Sequence, residues 1–548
     1  SCIEASKQHN FFYCSKKRDA LQTEPAILLA HFIKSNIIGK REIHGAVSRP
    51  IVGENMERSS GILLHISSLP SDYGVGNLGG AARAFVDFLH AAGQRWWQIL
   101  PVGPTGYGDS PYQSPSSYAG NPYFIDPEGL VEAGWLRRED VQRIDWGADA
   151  SQTDYSLLYR ERPKLLKQAF AAFRQQIPAD YRDFCERNGA WLSEHALFMA
   201  LKAHFSGAPW SCWPQALRLH RADACARYAA ELHEEMEYER FIQYVFDAQW
   251  RALHDYARAK NVKILGDLPI YVPYDSVDVW ANPEMFQLTR TRRLRAVAGC
   301  PPDGFSRTGQ YWGNPLYDWE YMARDSYVWW LRRAGAAAAR FDAVRIDHFR
   351  GISSYWSIPA QNRTARCGRW VKGPGMALID ALKASFPQTQ FVAEDLGFLT
   401  PAVRRLVRDS GFPGMKVLEF AFDPSEKSDY LPRRFGETCI CYTGTHDNQT
   451  LSQFCEEMSP ASRNYARRYL RLKPSDDLAD GILDAGMQSK AGLFIAQMQD
   501  YLRLGAAARM NEPGVMNERN WRWRLVPGQL TAPLATRIAD LTSRAGRV

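Results

Sequence analysis

From residue 61 the chain alternates short apolar runs with stretches of helical periodicity. The runs cover 62–67, 97–102, 263–268, 343–347, 391–394, 417–422 and 440–443. Most are nearly continuous rather than alternating, as expected of strands buried on both faces of a parallel sheet. Helical patterns lie between them, at 81–92, 244–260 and 326–339. Strand, helix, strand in repetition predicts an α/β fold. About eight such units are available, and polar residues cluster at the strand ends, so a closed (β/α)8 barrel is favoured over an open sheet.

Two stretches break the alternation. Residues 132–244 carry little strand pattern and much Ala, Arg, Gln and Glu, which predicts a helical insertion in one βα connection. Residues 1–55 hold eight basic and five acidic residues and read as an appendage: a tag-like extension, an upstream read-through or an organelle-targeting segment. Five acids argue against targeting, since transit peptides are poor in them. The 548 residues alone would suggest three or four domains. The repeated units instead predict one barrel over 56–548. No apolar run reaches the roughly 18 residues that span a bilayer.

Charge adds little. The net of +7 is small for this length, and Lys and Arg form no long stripe, so no nucleic-acid partner is expected. The ten cysteines make no CxxC pair and no dense framework, which argues against a zinc site or a disulfide scaffold and suits a reducing compartment. Gly74-Val-Gly-Asn-Leu-Gly79 is a literal GxGxxG between a strand and a helix. No acid ends the next strand to hold a ribose, so a Gly-rich loop allowing close approach is the better reading.

Three acids stand at strand ends: Asp347, Glu394 and Asp447, spaced 47 and 53 residues apart. A barrel brings such positions together at one mouth. Two carboxyls suit a retaining glycosidase, one as nucleophile and one as acid/base. Arg345 lies two residues before Asp347, on the same side of the strand, where its cation favours an ionised nucleophile. Glu394 needs the opposite, a raised pKa. His446 and Asp447 are placed to hold sugar hydroxyls. Any one of these acids alone reads as readily as an ion-paired or capping residue.

The motifs that carry these residues are Arg-Ile-Asp-His-Phe at 345–349, Ala-Glu-Asp-Leu-Gly at 393–397 and Thr-His-Asp-Asn at 445–448. They resemble the 4-α-glucanotransferases called amylomaltases or disproportionating enzymes, glycoside hydrolase family 77 of the α-amylase clan. Asp-Ser-Pro-Tyr-Gln at 109–113, Gly-Asp-Leu-Pro-Ile-Tyr-Val at 266–272, Pro-Pro-Asp-Gly-Phe-Ser at 301–306 and Gly-Gln-Tyr-Trp-Gly at 309–313 resemble the family's other motifs. The resemblance runs from about residue 58 to the C-terminus.

It implies a barrel with mainly helical insertions, a substrate loop at about 300–316 and no separate C-terminal β-sandwich. It implies Asp347 as nucleophile, Glu394 as acid/base and Asp447 as transition-state stabiliser. Arg345, His446, Tyr112, Asp267, Gln310, Trp312, His348 and Phe305 would bind substrate. Gly304 stands where some relatives carry an aromatic or Ala, which removes a stacking surface and loosens the loop. The implied substrates are malto-oligosaccharides, amylose or starch-type α-1,4-glucans, with no metal, no cofactor and no membrane partner. The implied state is a monomer or weak dimer in the cytoplasm, or in the plastid stroma if 1–55 is a targeting segment. A hydrolase or debranching enzyme of the same clan, and more distantly a non-catalytic glucan-binding protein, remain alternatives.

Overall fold

The computed structural model describes residues 57–302, 307–397, 399–515 and 517–548. The lead 1–55 and the loop residues Gly304 and Phe305 lie outside them. Eight parallel strands make the core: β1 Ser59–Leu63, β2 Trp96–Gln98, β3 Lys263–Leu268, β4 Ala343–Ile346, β5 Gln390–Ala393, β6 Gly414–Val417, β7 Cys439–Tyr442 and β8 Leu493–Gln497. They neighbour one another in chain order, and β8 returns to pair with β1. The remaining seam, β5 to β6, is bridged without a regular ladder. Pro413 has no N–H to give, but its carbonyl accepts from Ala393 N at 2.9 Å. Met415 N donates to the Asp395 carboxylate at 2.7 Å. The result is a TIM barrel.

Its strands are apolar on both faces because each face meets a core. Inside the barrel, Leu63, Trp96, Leu265, Ala343, Val392, Met415, Val417, Ile440, Tyr442, Leu493 and Ile495 pack into one cluster. Outward-facing neighbours such as Ile62, Trp97, Ile264, Val344, Phe391, Cys441 and Phe494 pack under the surrounding helices. The bottom of the barrel is tied by Arg547. Its buried guanidinium donates to the carbonyls of Met487, Ser59, Gly492, Ser489 and Ala491, joining the start of β1 to the turn before β8.

Strand positions differ from the sequence expectation in four places. β8 was not anticipated. The run at 417–422 contributes only Val417 to a strand, because the strand begins earlier, at Gly414, and Leu418–Phe420 is a 3-10 turn. The first run starts earlier as well, and Ile66–Ser68 is a 3-10 turn. The second is a strand only at Trp96–Gln98.

Between β2 and β3 the chain is helical, from Pro127–Glu132 through Tyr155–Phe173, Asp180–His204 and Ala222–Glu231 to His233–Ala259. Between β3 and β5 it forms a second, antiparallel sheet in the order Gln310–Pro315, Ala296–Cys300, Ser354–Pro359, Arg369–Lys372. The second half of the expected substrate loop at 300–316 therefore contains an edge strand of this sheet, Gln310–Pro315. After β8 come short turns and the helix Ala532–Arg544. The GxGxxG segment is a close-packed loop: a Cβ on Gly76 would lie 1.9 Å from the Ile66 carbonyl oxygen.

Candidate active site

The C-terminal mouth of the barrel collects the candidate residues. β3 and β4 are in register with Asp267 opposite Arg345. The Arg345 guanidinium, almost fully buried, bridges two carboxylates. Its Nη1 donates to Asp267, and its Nη2 donates to Asp347 Oδ1 at 2.9 Å. Tyr112, from the loop after β2, donates its hydroxyl to Asp267 Oδ2 at 2.6 Å. This chain of contacts, Tyr112 to Asp267 to Arg345 to Asp347, fixes the Asp347 carboxylate from below. Its side chain stays 27% exposed toward the mouth.

Glu394 follows β5 and is held by backbone. His348 N donates to Oε2 at 2.7 Å and Leu396 N to Oε1 at 3.0 Å. The first bond depends on His348 adopting the left-handed region, φ 45°. A non-glycine residue rarely sits there, and such strain gathers at functional sites. Burial pushes the Glu394 carboxyl up to about 7, with the Asp347 charge adding and the Arg345 cation opposing. At neutral pH it can therefore hold a proton to give. Burial and the Arg350 cation hold the His348 ring neutral, its pKa down to about 3.

Asp447 lies past β7 on the loop that carries His446. Asn511 Nδ2 donates to Asp447 Oδ1 at 2.6 Å, and Arg509 Nη2 donates to its carbonyl at 2.9 Å. His446 Nε2 is 3.3 Å from the same Oδ1. Its ring stacks on Tyr112, centroids 5.1 Å apart and planes 16° apart, and Trp521 closes this aromatic wall at 5.8 Å from His446. Burial lowers the His446 pKa against the pull of Asp447.

Trp312 and Gln310 come from the side sheet. The Trp312 ring meets His348 edge to face at 4.7 Å, and its indole N–H donates to Gln310 Oε1 at 3.0 Å. The second sheet is thus docked on the β4 end of the mouth. Asp347, Glu394, Arg345, Asp267, Tyr112 and His348 are joined by direct contacts, as are His446 and Asp447. Phe305 lies outside the described residues. Among those described, no cluster of His, Cys, Asp and Glu has the makings of a metal site.

Three contributors were not anticipated from the sequence: Arg509, Asn511 and Trp521. All follow β8, the strand that was also missed. Their signal was present as Asn-Glu-Pro-Gly at 511–514 and Asn-Trp-Arg-Trp at 520–523. A polar, Gly- and Pro-punctuated loop with Trp after an apolar run is where barrel enzymes carry binding residues.

Comparison with known proteins shows the family to which a chain of this fold belongs. The glycoside hydrolase family 77 model, described as 4-alpha-glucanotransferase, matches residues 64–530. A 4-alpha-glucanotransferase from Streptococcus pneumoniae is 45% identical over 490 residues, covering 89% of this chain and 97% of that protein. One from Clostridium butyricum is 42% identical over 486 residues, 88% of this chain and all of that protein. The solved amylomaltase from Streptococcus agalactiae in complex with acarbose superposes with TM-score 0.87 at 38% identity, covering 90% of this chain and 100% of that one. With a family match across most of its length and relatives above 40% identity, the chain belongs to the 4-alpha-glucanotransferases of glycoside hydrolase family 77.

Proposed function

We propose that the protein transfers α-1,4-glucan segments between malto-oligosaccharides by a retaining double displacement. The observation that carries this is the pairing of two unlike carboxyls: Asp347 beside the Arg345 cation, and Glu394 in a buried place that raises its pKa. Asp347 attacks the anomeric carbon, forming a C–O bond, while the bond to the leaving oxygen breaks and takes the Glu394 proton. The shorter glucan leaves. Glu394, now a carboxylate, accepts the proton of an incoming 4-hydroxyl, whose oxygen displaces Asp347 and restores the α-linkage.

The positive charge that builds on the sugar between these steps faces Asp447, held by Asn511 and Arg509. The Tyr112–His446–Trp521 wall supplies flat faces for the reacting sugar, and Trp312 with Gln310 serves the acceptor side, joined by Phe305 and by His348. Sugar outcompetes water when these surfaces bind an acceptor and exclude solvent. Starch-type glucans are the natural donors. No helix among the described residues is long and apolar enough to cross a membrane. We place the protein in the cytoplasm, or in the plastid stroma if 1–55 directs it there.

Incubation with maltotriose tests the reading. Glucose and glucans longer than the starting trimer should accumulate together, and D347N should abolish both. Steady loss to glucose and maltose with no longer product would make the protein a hydrolase instead.

A further inference from the structure

A buried carboxyl that this reaction does not use lies beneath the loop carrying His446 and Asp447. Glu419 stands just past β6, in the turn Leu418–Phe420. Its Oε1 is buried and has no hydrogen-bond partner. It presses against the loop backbone. A Cβ added at Gly444 would lie 2.5 Å from Oε1, 2.9 Å from Gln497 Nε2 and 3.0 Å from Asn448 Cβ. Only glycine lets the loop settle this closely. The Asn448 side chain and the Gln449 amide donate to the carboxyl from the same loop and favour its charged form, but Oε1 stays without a donor.

Two charged groups face Glu419, Asp500 and Arg509, and the Cys455 thiol senses both carboxyls from the helix Leu451–Glu457. Asp500 is already engaged, accepting from Thr443 Oγ1 at 2.5 Å and from Leu451 N at 2.8 Å. Arg509 is shared. It faces Glu419, yet its hydrogen bonds go to the Asp447 carbonyl and the Asn511 carbonyl, each at 2.9 Å. A buried oxygen without a donor, next to a second carboxylate, is a poor place for a negative charge. Burial and Asp500 accordingly hold the Glu419 carboxyl well above the usual carboxylate range, with Arg509 opposing.

We propose that Glu419 is a positioning residue for Asp447: it fills the floor beneath Gly444 and leaves the Arg509 guanidinium to the Asp447 backbone. Ionising it sets a second anion beside Asp500 and draws Arg509 off Asp447. The inference rests on the reading of Asp447 as the group that faces the developing charge.

The experiment compares D447N, E419A and E419Q in the full-length protein, with maltotriose as substrate. E419A should lower kcat by roughly 10- to 100-fold, the scale of a misplaced catalytic group. KM should stay within about threefold, since ground-state binding is not removed. E419Q, which keeps shape without charge, should restore most of the lost rate. In the wild type, log kcat should fall with a slope of about −1 where only one of Glu394 and Glu419 ionises and approach about −2 where both do. E419Q should keep the single slope. Wild-type kcat in E419A, equal damage in E419Q and E419A, or unchanged steepening in E419Q each overturn the proposal. If E419A loses its cooperative melt, the E419Q profile decides alone. Full activity in D447N would instead overturn the reading of Asp447, whereas an impaired D447N beside an unaffected E419A would overturn only the role of Glu419.

Discussion

Replacing Arg345 by Lys tests the bridge at the centre of the site. The guanidinium serves Asp267 and Asp347 at once through two separate N–H groups. A lysine ammonium is a single point charge on a different stem, and it cannot reproduce that fork. The competition between the two acids decides where it goes. The Asp267 side chain is 1% exposed, whereas that of Asp347 is 27% exposed. An unpaired carboxylate costs more in the drier place, so the ammonium stays with Asp267 and Asp347 loses its donor. A hydrogen bond between charged groups is worth about 1.5–3 kcal/mol. At about 1.4 kcal/mol per decade, kcat/KM for R345K should fall roughly 10- to 150-fold. Stability should change little. R345A should differ in kind: it strands a buried carboxylate and should cost about 3–5 kcal/mol of folding free energy. Initial rates of glucose release from maltotriose give the first quantity, and denaturant titration the second. R345K with kcat/KM within twofold of wild type, or as unstable as R345A, would refute the argument.

Other expectations follow from neighbouring contacts. Donor cleavage needs protonated Glu394, so kcat should decline above about pH 7, and a profile flat to pH 9 would remove Glu394 from that role. The same group bears on stability. Between 4.5 and about 7 the folded protein keeps a proton that the unfolded chain releases, so stability is lost as pH rises through that window. E394Q should therefore be the more stable protein at pH 8, by about 3 kcal/mol at most, and less stable or equal at pH 4. Y112F keeps the stacked ring but deletes the donor to Asp267, and kcat/KM should drop about tenfold. An unaltered value would mean the hydroxyl is not engaged in solution. G76A drives a methyl group into the Ile66 carbonyl, and its melting temperature should fall by several degrees while KM is unchanged.

The three carboxylates were legible because each ends an apolar run, and a barrel turns chain spacing into spatial convergence. Barrel strands were legible for the same reason: with a core on both faces, they read as unbroken apolar stretches. Where the signal failed, a local feature misled. The sixth strand was placed too late in the chain: β6 begins at Gly414, directly after Pro413, and its seam with β5 relies on a carbonyl and a side chain. The second sheet was invisible because its strands are short and carry Gly299, Gly313 and Pro315 among polar residues. The donors to Asp447 were missed because nothing in their composition tells which acid they reach. The left-handed backbone at His348 was not legible because His, although enriched in that conformation, adopts others far more often.

Arg547 has a bearing on how the barrel is made rather than on what it does. Its guanidinium gathers carbonyls from Ser59, in the first strand, and from 487–492, and Arg547 itself stands 488 residues beyond Ser59. The β1–β8 seam therefore gains its fastening only when the first and last strands of the barrel meet the C-terminal residues. Contacts of such long sequence range are slow to form and come late. Until then the edges of β1 and β8 stay open to other partners, the condition in which a half-wound sheet is prone to associate with its own kind. One buried side chain at the foot of the barrel, on the opposite end from the mouth, should thereby influence how much of the chain reaches the closed barrel.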